Sequence, residues 1–103
     1  MTTRYGTARK VQMHGTARAF ISGKSARSFN SNTDGGTYWL HGHAIATKYG
    51  LDGRWVLAFD WCGHYTPTTT NHINAILHAA GASTRVSYAA ARRAGQTRFE
   101  VAV

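Results

Sequence analysis

At 103 residues the chain is one domain with one core, folding buries about 65% of the surface its unfolded form exposes, and a multidomain architecture is excluded. With 43% hydrophobic residues, 11 Gly and a single Pro, it reads as short strands separated by turns, which excludes a wholly disordered chain. Twelve Lys and Arg, nine of them Arg, against four acids give a net charge of +8, which favours nucleic acid or a nucleotide as partner because each neutralised phosphate releases counterions; a basic surface that only keeps the chain soluble is the competing reading.

The lone Cys62 leaves no intramolecular disulfide framework. No apolar run approaches the roughly 18 to 20 residues that span a bilayer, and MTTRYGTARKVQMHG lacks the apolar centre of a signal peptide. No membrane partner is expected, and the cytoplasm is the expected location.

Residues 1–14 form a candidate flexible basic arm. The first thirty residues carry a weak repeat at a spacing of nine, GTARKV, GTARAF and KSARSF, which aligns Ala8, Ala17 and Ala26, then Arg9, Arg18 and Arg27, then Val11, Phe20 and Phe29. In an extended chain an Arg two residues before an apolar side chain shares its face, so the Arg stem lies over the apolar neighbour at a basic sheet edge. TARAFIS, 16–22, reads as a strand ended by Gly23, and NSNTDGG, 30–36, as a loop.

A central hairpin follows, with strands over Tyr38–Lys48 and Arg54–His64. Its turn permits a type II′ loop at Gly50-Leu51 or a type I turn with a bulge at Gly53. Trp55, Leu57, Phe59 and Trp61 alternate with polar or smaller residues and form the buried face. The first register sets Leu40, Gly42, Ala44 and Ala46 against those large side chains and His41 beside Asp60. It is preferred because the second buries His41 and His43 without evident partners.

Pro67 disfavours helix at Thr66, a Thr hydroxyl at 68 or 69 serves as cap, and Ile73, Ile76, Leu77 and Ala80 give a helix of about 70–80 stopped by Gly81. STRVSY, 83–88, reads as a strand; 89–93 is either a short helix closed by Gly95 or that strand's continuation; and 97–103 alternates as a half-buried terminal strand. The expected fold is α+β, an antiparallel sheet of four or five strands with one main helix packed on one face.

His41, His43, Asp60, Cys62 and His64 share one face in the preferred register. His41, His43, Cys62 and His64 are zinc donor types at alternate strand positions, but no CxxC or HExxH spacing supports a metal. His41 with Asp60 has the form of a base and its orienting acid, yet no nucleophile or second carboxylate is evident, so the reading leans away from an enzyme and implies no cofactor. His72, in the first turn of the helix, is disfavoured as a cation by the dipole, and as a neutral ring it would fasten the Thr-rich corner. The same helix start, with Thr68, Thr69, Thr70 and His72, is an anion site in principle, which Arg54, Lys48 or Arg85 would complete.

Ile45-Ala46 in a first strand, a short turn, an aromatic second strand, then Tyr65-Thr66, Thr69-Thr70 and His72 resemble small uncharacterised proteins found largely in phage and mobile-element genomes. The resemblance covers about 40 residues, and this chain departs from it in Pro67, an extra Thr, and His41 and His43 in the first strand. It implies an accessory or anti-defence role in a host cytoplasm and no catalytic residues.

The leading functional expectation is a polyanion-binding protein in which Arg4, Arg9, Arg18, Arg27, Arg54 and Arg85 supply charge and Tyr38 or Trp39 stacks on a base. The alternatives are a protein-binding inhibitor of a host enzyme that handles nucleic acid and, last, a metal-dependent hydrolase. Exposed aromatics on a small sheet make a homodimer the assembly to test.

Overall fold

The computed structural model describes residues 9–10 and 12–103. In chain order the elements are β1 (Arg9–Lys10), α1 (Met13–Ser22), β2 (Ala26–Arg27), β3 (Ser31–Thr33), β4 (Thr37–Leu40), β5 (His43–Leu51), β6 (Arg54–Asp60), α2 (Pro67–Ala79), α3 (Tyr88–Ala94) and β7 (Arg98–Ala102). The fold is α+β, as expected. Its strands lie in sequence order in one sheet: β2 to β7 pair antiparallel with their neighbours, and the two-residue β1 joins β2 in parallel. Of the stretch read as a basic arm, Arg9–Lys10 and Met13–His14 fall in β1 and α1, and 1–8 and Val11 lie outside the described residues.

Three X-Gly dipeptides set the course of the chain. His41-Gly42, Asp52-Gly53 and Cys62-Gly63 all carry positive φ at both positions, 50° and 82°, 52° and 76°, 54° and 77°. Two consecutive left-handed residues are the signature of the type I′ turn, whose twist matches that of paired strands. The first two close hairpins, with Leu40 opposite His43 and Leu51 opposite Arg54. The third turns the chain back at the end of β6, where His64 N–H donates to the Trp61 carbonyl at 2.9 Å.

This geometry corrects the expected hairpin in two ways. The single strand expected over Tyr38–Lys48 is split by the His41-Gly42 turn into β4 and β5, and the next loop is Asp52-Gly53, neither the Gly50-Leu51 loop nor the bulge. From Ala46 onward the observed register differs from the preferred one by an even number of residues, so Phe59 sits opposite Ala46, where Gly42 was expected, and the faces are kept; before it, a break in the β4–β5 register at Ile45 pairs Ala44 with Trp39 and His43 with Leu40, which exchanges the faces expected for residues 43 and 44.

Both long helices lie on one face, because the Tyr38 ring meets Phe20 of α1 edge-on, centroids 5.9 Å apart, and its hydroxyl bonds Nδ1 of His72 in α2 at 2.6 Å. Tyr38, Phe20, Phe59, Trp61, Leu57, Ile73, Ile76 and Leu77 are fully buried there. Trp55, expected in this core, is 56% exposed. It stands beyond the end of α1, where Lys48 Nζ donates to the carbonyls of Phe20 and Ile21 and lies 5.4 Å over the Trp55 ring. The opposite face carries Trp39, Tyr49, Asp60, Arg98 and Glu100, with ties from Tyr49 to Glu100 (2.8 Å) and Arg98 to Asp60 (3.2 Å).

Residues 16–22 are helix, not the expected strand. Thr16, Ala17 and Phe20 are the buried positions of α1, a helical spacing, whereas strand alternation would put Arg18 on the face of Phe20. Gly23, at φ 75°, caps the helix with its N–H on the Ala19 and Phe20 carbonyls. Within the expected loop 30–36, Ser31–Thr33 form β3 with Ser31 and Thr33 buried, and Asp34 fixes the turn that follows by accepting from Gly36 N and Thr37 N at 2.9 Å each. Those bonds hold its carboxyl below the usual range.

The expected strand 83–88 is irregular up to Ser87. Its backbone is held by a side chain instead of a neighbouring strand: Val86 N donates to Asn74 Oδ1 at 2.8 Å, and Asn74 Nδ2 donates to the Val86 carbonyl at 3.1 Å. The open choice at 89–93 resolves to helix α3, capped by the Ser87 hydroxyl and closed by Gly95. The terminal strand is β7, where Phe99 stacks on Phe59 with centroids 4.9 Å apart.

Candidate anion-binding site

The turns at 41–42 and 62–63 lie at one end of the sheet and the turn at 52–53 at the other, so the histidines that flank the first two gather at one end. There His41, His43 and His64, with Leu40, Ile45 and the hydroxyl-bearing Thr66, Thr68 and Thr69, line a pocket of about 420 Å³. The His43 and His64 rings are 4.6 Å apart and tilted by 48°.

The start of α2 closes this pocket. Thr66 is the N-cap: its hydroxyl accepts from Thr69 N at 3.2 Å and Pro67 takes the first helical position, where a missing N–H costs least. The cap is therefore two or three residues earlier than the one expected at Thr68 or Thr69. Thr69 is buried with its hydroxyl 3.2 Å from that of Thr66, and Thr70 donates back to the Thr66 carbonyl at 2.9 Å, so of the three threonines only Thr68 remains exposed at the helix start.

An adjoining cavity of about 310 Å³ brings in the start of α1 as well: Gln12, its N-cap residue, and Met13 face Asn30, Thr68, Asn71 and His72 across it. Two helix N-termini thus open on one cavity, each with a positive dipole end; the start of α1 has no side-chain cap, while at α2 Pro67 has no N–H, Thr69 and Thr70 N–H are bonded to Thr66, and the Thr68 N–H is left.

His72 lies in the second turn of α2, 3% exposed, and bonds Tyr38 rather than the Thr-rich corner. Burial, reinforced by the nearby imidazoles of His41 and His14, pushes its pKa down to about 4, so the ring is neutral. Nδ1 is the ring nitrogen bonded to the Tyr38 hydroxyl, and the same ring lines the cavity. The Tyr38 hydroxyl is also 3.2 Å from Ser31 Oγ, which bonds Ser28 Oγ, a buried polar chain from α2 into the β2–β3 connection. Burial raises the Tyr38 phenol to about 12.

The other expected residues are dispersed. Tyr38 is fully buried and cannot stack on a base; Trp39 is half-buried on the opposite face. Arg4 lies outside the described residues, and Arg9 is placed by its backbone beside Ala26 at the β1 edge. Arg27 is half-buried in a groove that also holds Phe29 and His41, and Arg18 is exposed on α1. Arg54 stands at the far end of β5, about 25 Å from His43. Arg85 donates to the carbonyls of Ala82 and Thr84 beside His78, at the C-terminal end of α2 and about 15 Å along the helix from Thr68. With Lys48 engaged at the end of α1, none of the three cations expected to complete the helix-start site reaches it.

His41 does not stand beside Asp60. It occupies the β4–β5 turn, and the Asp60 carboxylate accepts from Arg98 Nε at 3.2 Å and Cys62 N at 2.8 Å. The Cys62 thiol sits in its own turn near the Ala44 carbonyl, and burial together with the Asp60 charge raises its pKa. Among the described residues no three His, Cys, Asp or Glu come together to hold a metal ion, and no helix is long and apolar enough to cross a membrane.

Residues missed in the sequence are Gln12, Asn30, Asn71 and above all Phe29, 94% exposed at the β2–β3 turn. The signal for Phe29 was its place in a run of Ser and Asn, which marks a turn and not a core position. No family model, curated protein or solved structure matches the chain.

Proposed function

We propose that the protein binds a phosphate-bearing ligand, nucleic acid or a nucleotide, at the histidine-rich end of the sheet. The observation that carries this reading is the convergence of two helix N-termini with His41, His43, His64 and His72 around cavities whose lining includes no carboxylate. The chain's four acids are Asp34, Asp52, Asp60 and Glu100. Asp34, Asp60 and Glu100 are engaged with other groups, and Asp52 sits in the turn at the opposite end. Within these two cavities an anion meets donors and no carboxylate, inside the field of a +8 chain; Asp34 lines the adjoining groove with Arg27 and His41. Arg18 and Arg27 supply nearby charge, and Arg54 and Arg85 contribute only to the general field. The phage-type accessory role in a host cytoplasm is the setting this reading adopts, with a second copy pairing along the open β7 edge as the assembly to be checked by light scattering.

The test is anisotropy of a labelled single-stranded oligonucleotide over a salt series. Affinity should fall steeply with salt, by about tenfold or more over a fourfold rise if several phosphates are contacted. The combined His41→Gln, His43→Gln, His64→Gln variant should bind at least about fivefold more weakly, with Arg54→Ala near wild type. Affinity that ignores salt, or a triple variant that binds as well as the wild type, sinks the proposal.

A further inference from the structure

We infer that Phe29 is the stacking platform for one unpaired base of a single-stranded nucleic acid, an inference that rests on the proposed phosphate-binding function and names its substrate class. Phe20 and Phe59 are buried and Phe99 stacks on Phe59, but Phe29 is 94% exposed and contributes nothing to the core.

Its backbone is held on both sides. Phe29 and Asn30 lie in the three-residue connection 28–30 between β2 and β3, closed by Ser28 N–H donating to the Ser31 carbonyl at 2.7 Å. The Ser28 and Ser31 hydroxyls bond each other, Ser31 is tied to Tyr38, and the Asn30 carbonyl accepts from His41 N at 2.9 Å. A backbone held in this way loses little freedom when a flat ligand lies on the ring it presents.

The surroundings suit a nucleotide. On one flank the ring borders the cavity of Gln12, Asn30, Asn71 and His72, whose amides and imidazole offer the paired donors and acceptors that a base edge requires. Thr68 and the helix starts at the same cavity suit its phosphate. On the other flank lies the groove with Arg27, and the β1 backbone sets Arg9 and Lys10 next to β2 along that edge. A duplex covers the faces of its bases, so a single exposed ring selects an unpaired strand.

Full-length protein should be titrated with a labelled oligothymidylate, with an abasic oligomer of the same length, and with the corresponding duplex. Wild type should prefer the base-bearing single strand over the abasic one by roughly tenfold, the range of one base–aromatic stack. Phe29→Ala should bind both strands equally at an unchanged melting temperature, and Phe29→Trp should restore the preference. If wild type binds base-bearing and abasic strands equally, or Phe29→Ala keeps the preference, Phe29 is no platform while phosphate binding stands. If no strand binds even at low salt, the phosphate-binding reading falls and this inference with it.

Discussion

Acidification from pH 7 to pH 5 should destabilise the fold through His72. Free imidazole binds its proton near 6.5, whereas the buried ring resists it down to about 4. Between those values the unfolded chain holds the extra proton, so stability from this group is fully present above 6.5 and is lost as pH falls toward 4. The whole effect is about 3 kcal/mol and the part between pH 7 and pH 5 about 2 kcal/mol. Urea unfolding at fixed ionic strength reads it: at a slope of about 1 to 1.5 kcal/mol per molar, the midpoint should drop by about 1.5 M. His72→Gln supplies the control. It should be less stable at pH 7 by about 1 to 3 kcal/mol, since Tyr38 loses a fitted partner, but its midpoint should be nearly flat over the same range. A wild-type midpoint that does not move between pH 7 and pH 5, or a His72→Gln protein that keeps the full slope, refutes the assignment of a neutral buried ring bonded to Tyr38.

Gly35→Ala should cost about 2 to 4 kcal/mol in urea unfolding, because the residue has φ 94° and an added Cβ would stand 2.5 Å from the Gly23 backbone. Gly53→Ala, at φ 76° with open space around it, should cost only about 1 kcal/mol. Thr66→Ala should lose about 1 kcal/mol as the α2 cap, and Thr68→Ala within about 0.5 kcal/mol of nothing, a contrast that separates the observed cap from its neighbour. Arg98→Ala should leave the thermal midpoint almost unchanged, since its pair with Asp60 has an Arg side chain 81% exposed.

How much of this fold the sequence disclosed depends on the range of the forces at each element. The buried alternation of Leu57, Phe59 and Trp61, the apolar face of α2 and the half-buried β7 follow from periodicity, which is local. α1 is helix where its local pattern predicts a strand because TARAFIS has β-compatible residues at its end, and its helical burial is imposed by Tyr38 and the Gly35 turn, partners 18 and 15 residues beyond Phe20. The run 83–87 has strand composition and no strand partner; the amide of Asn74 substitutes for one, and no pattern within that run announces it.

The candidate site was legible at its components and not in its assembly. Asp52-Gly53 is a strong hairpin signal, and His41-Gly42 and Cys62-Gly63 repeat its form, so all three turns can be read once Gly is taken as the second of two left-handed residues. Taken together they fix which end each histidine occupies: strands of β5 and β6 length between turns at 41–42, 52–53 and 62–63 return 41 and 62 to the same end. What no local pattern supplies is the arrival of the α1 N-terminus there, which depends on packing α1 against α2, and the exposure of Phe29, which depends on a β2–β3 connection only three residues long. The repeat that aligned Phe20 with Phe29 shows the difference. The same Ala-Arg-x-Phe pattern sends one ring into the core from a helix and holds the other in solvent from a turn, so the environment and not the motif decides which of them is free to meet a ligand.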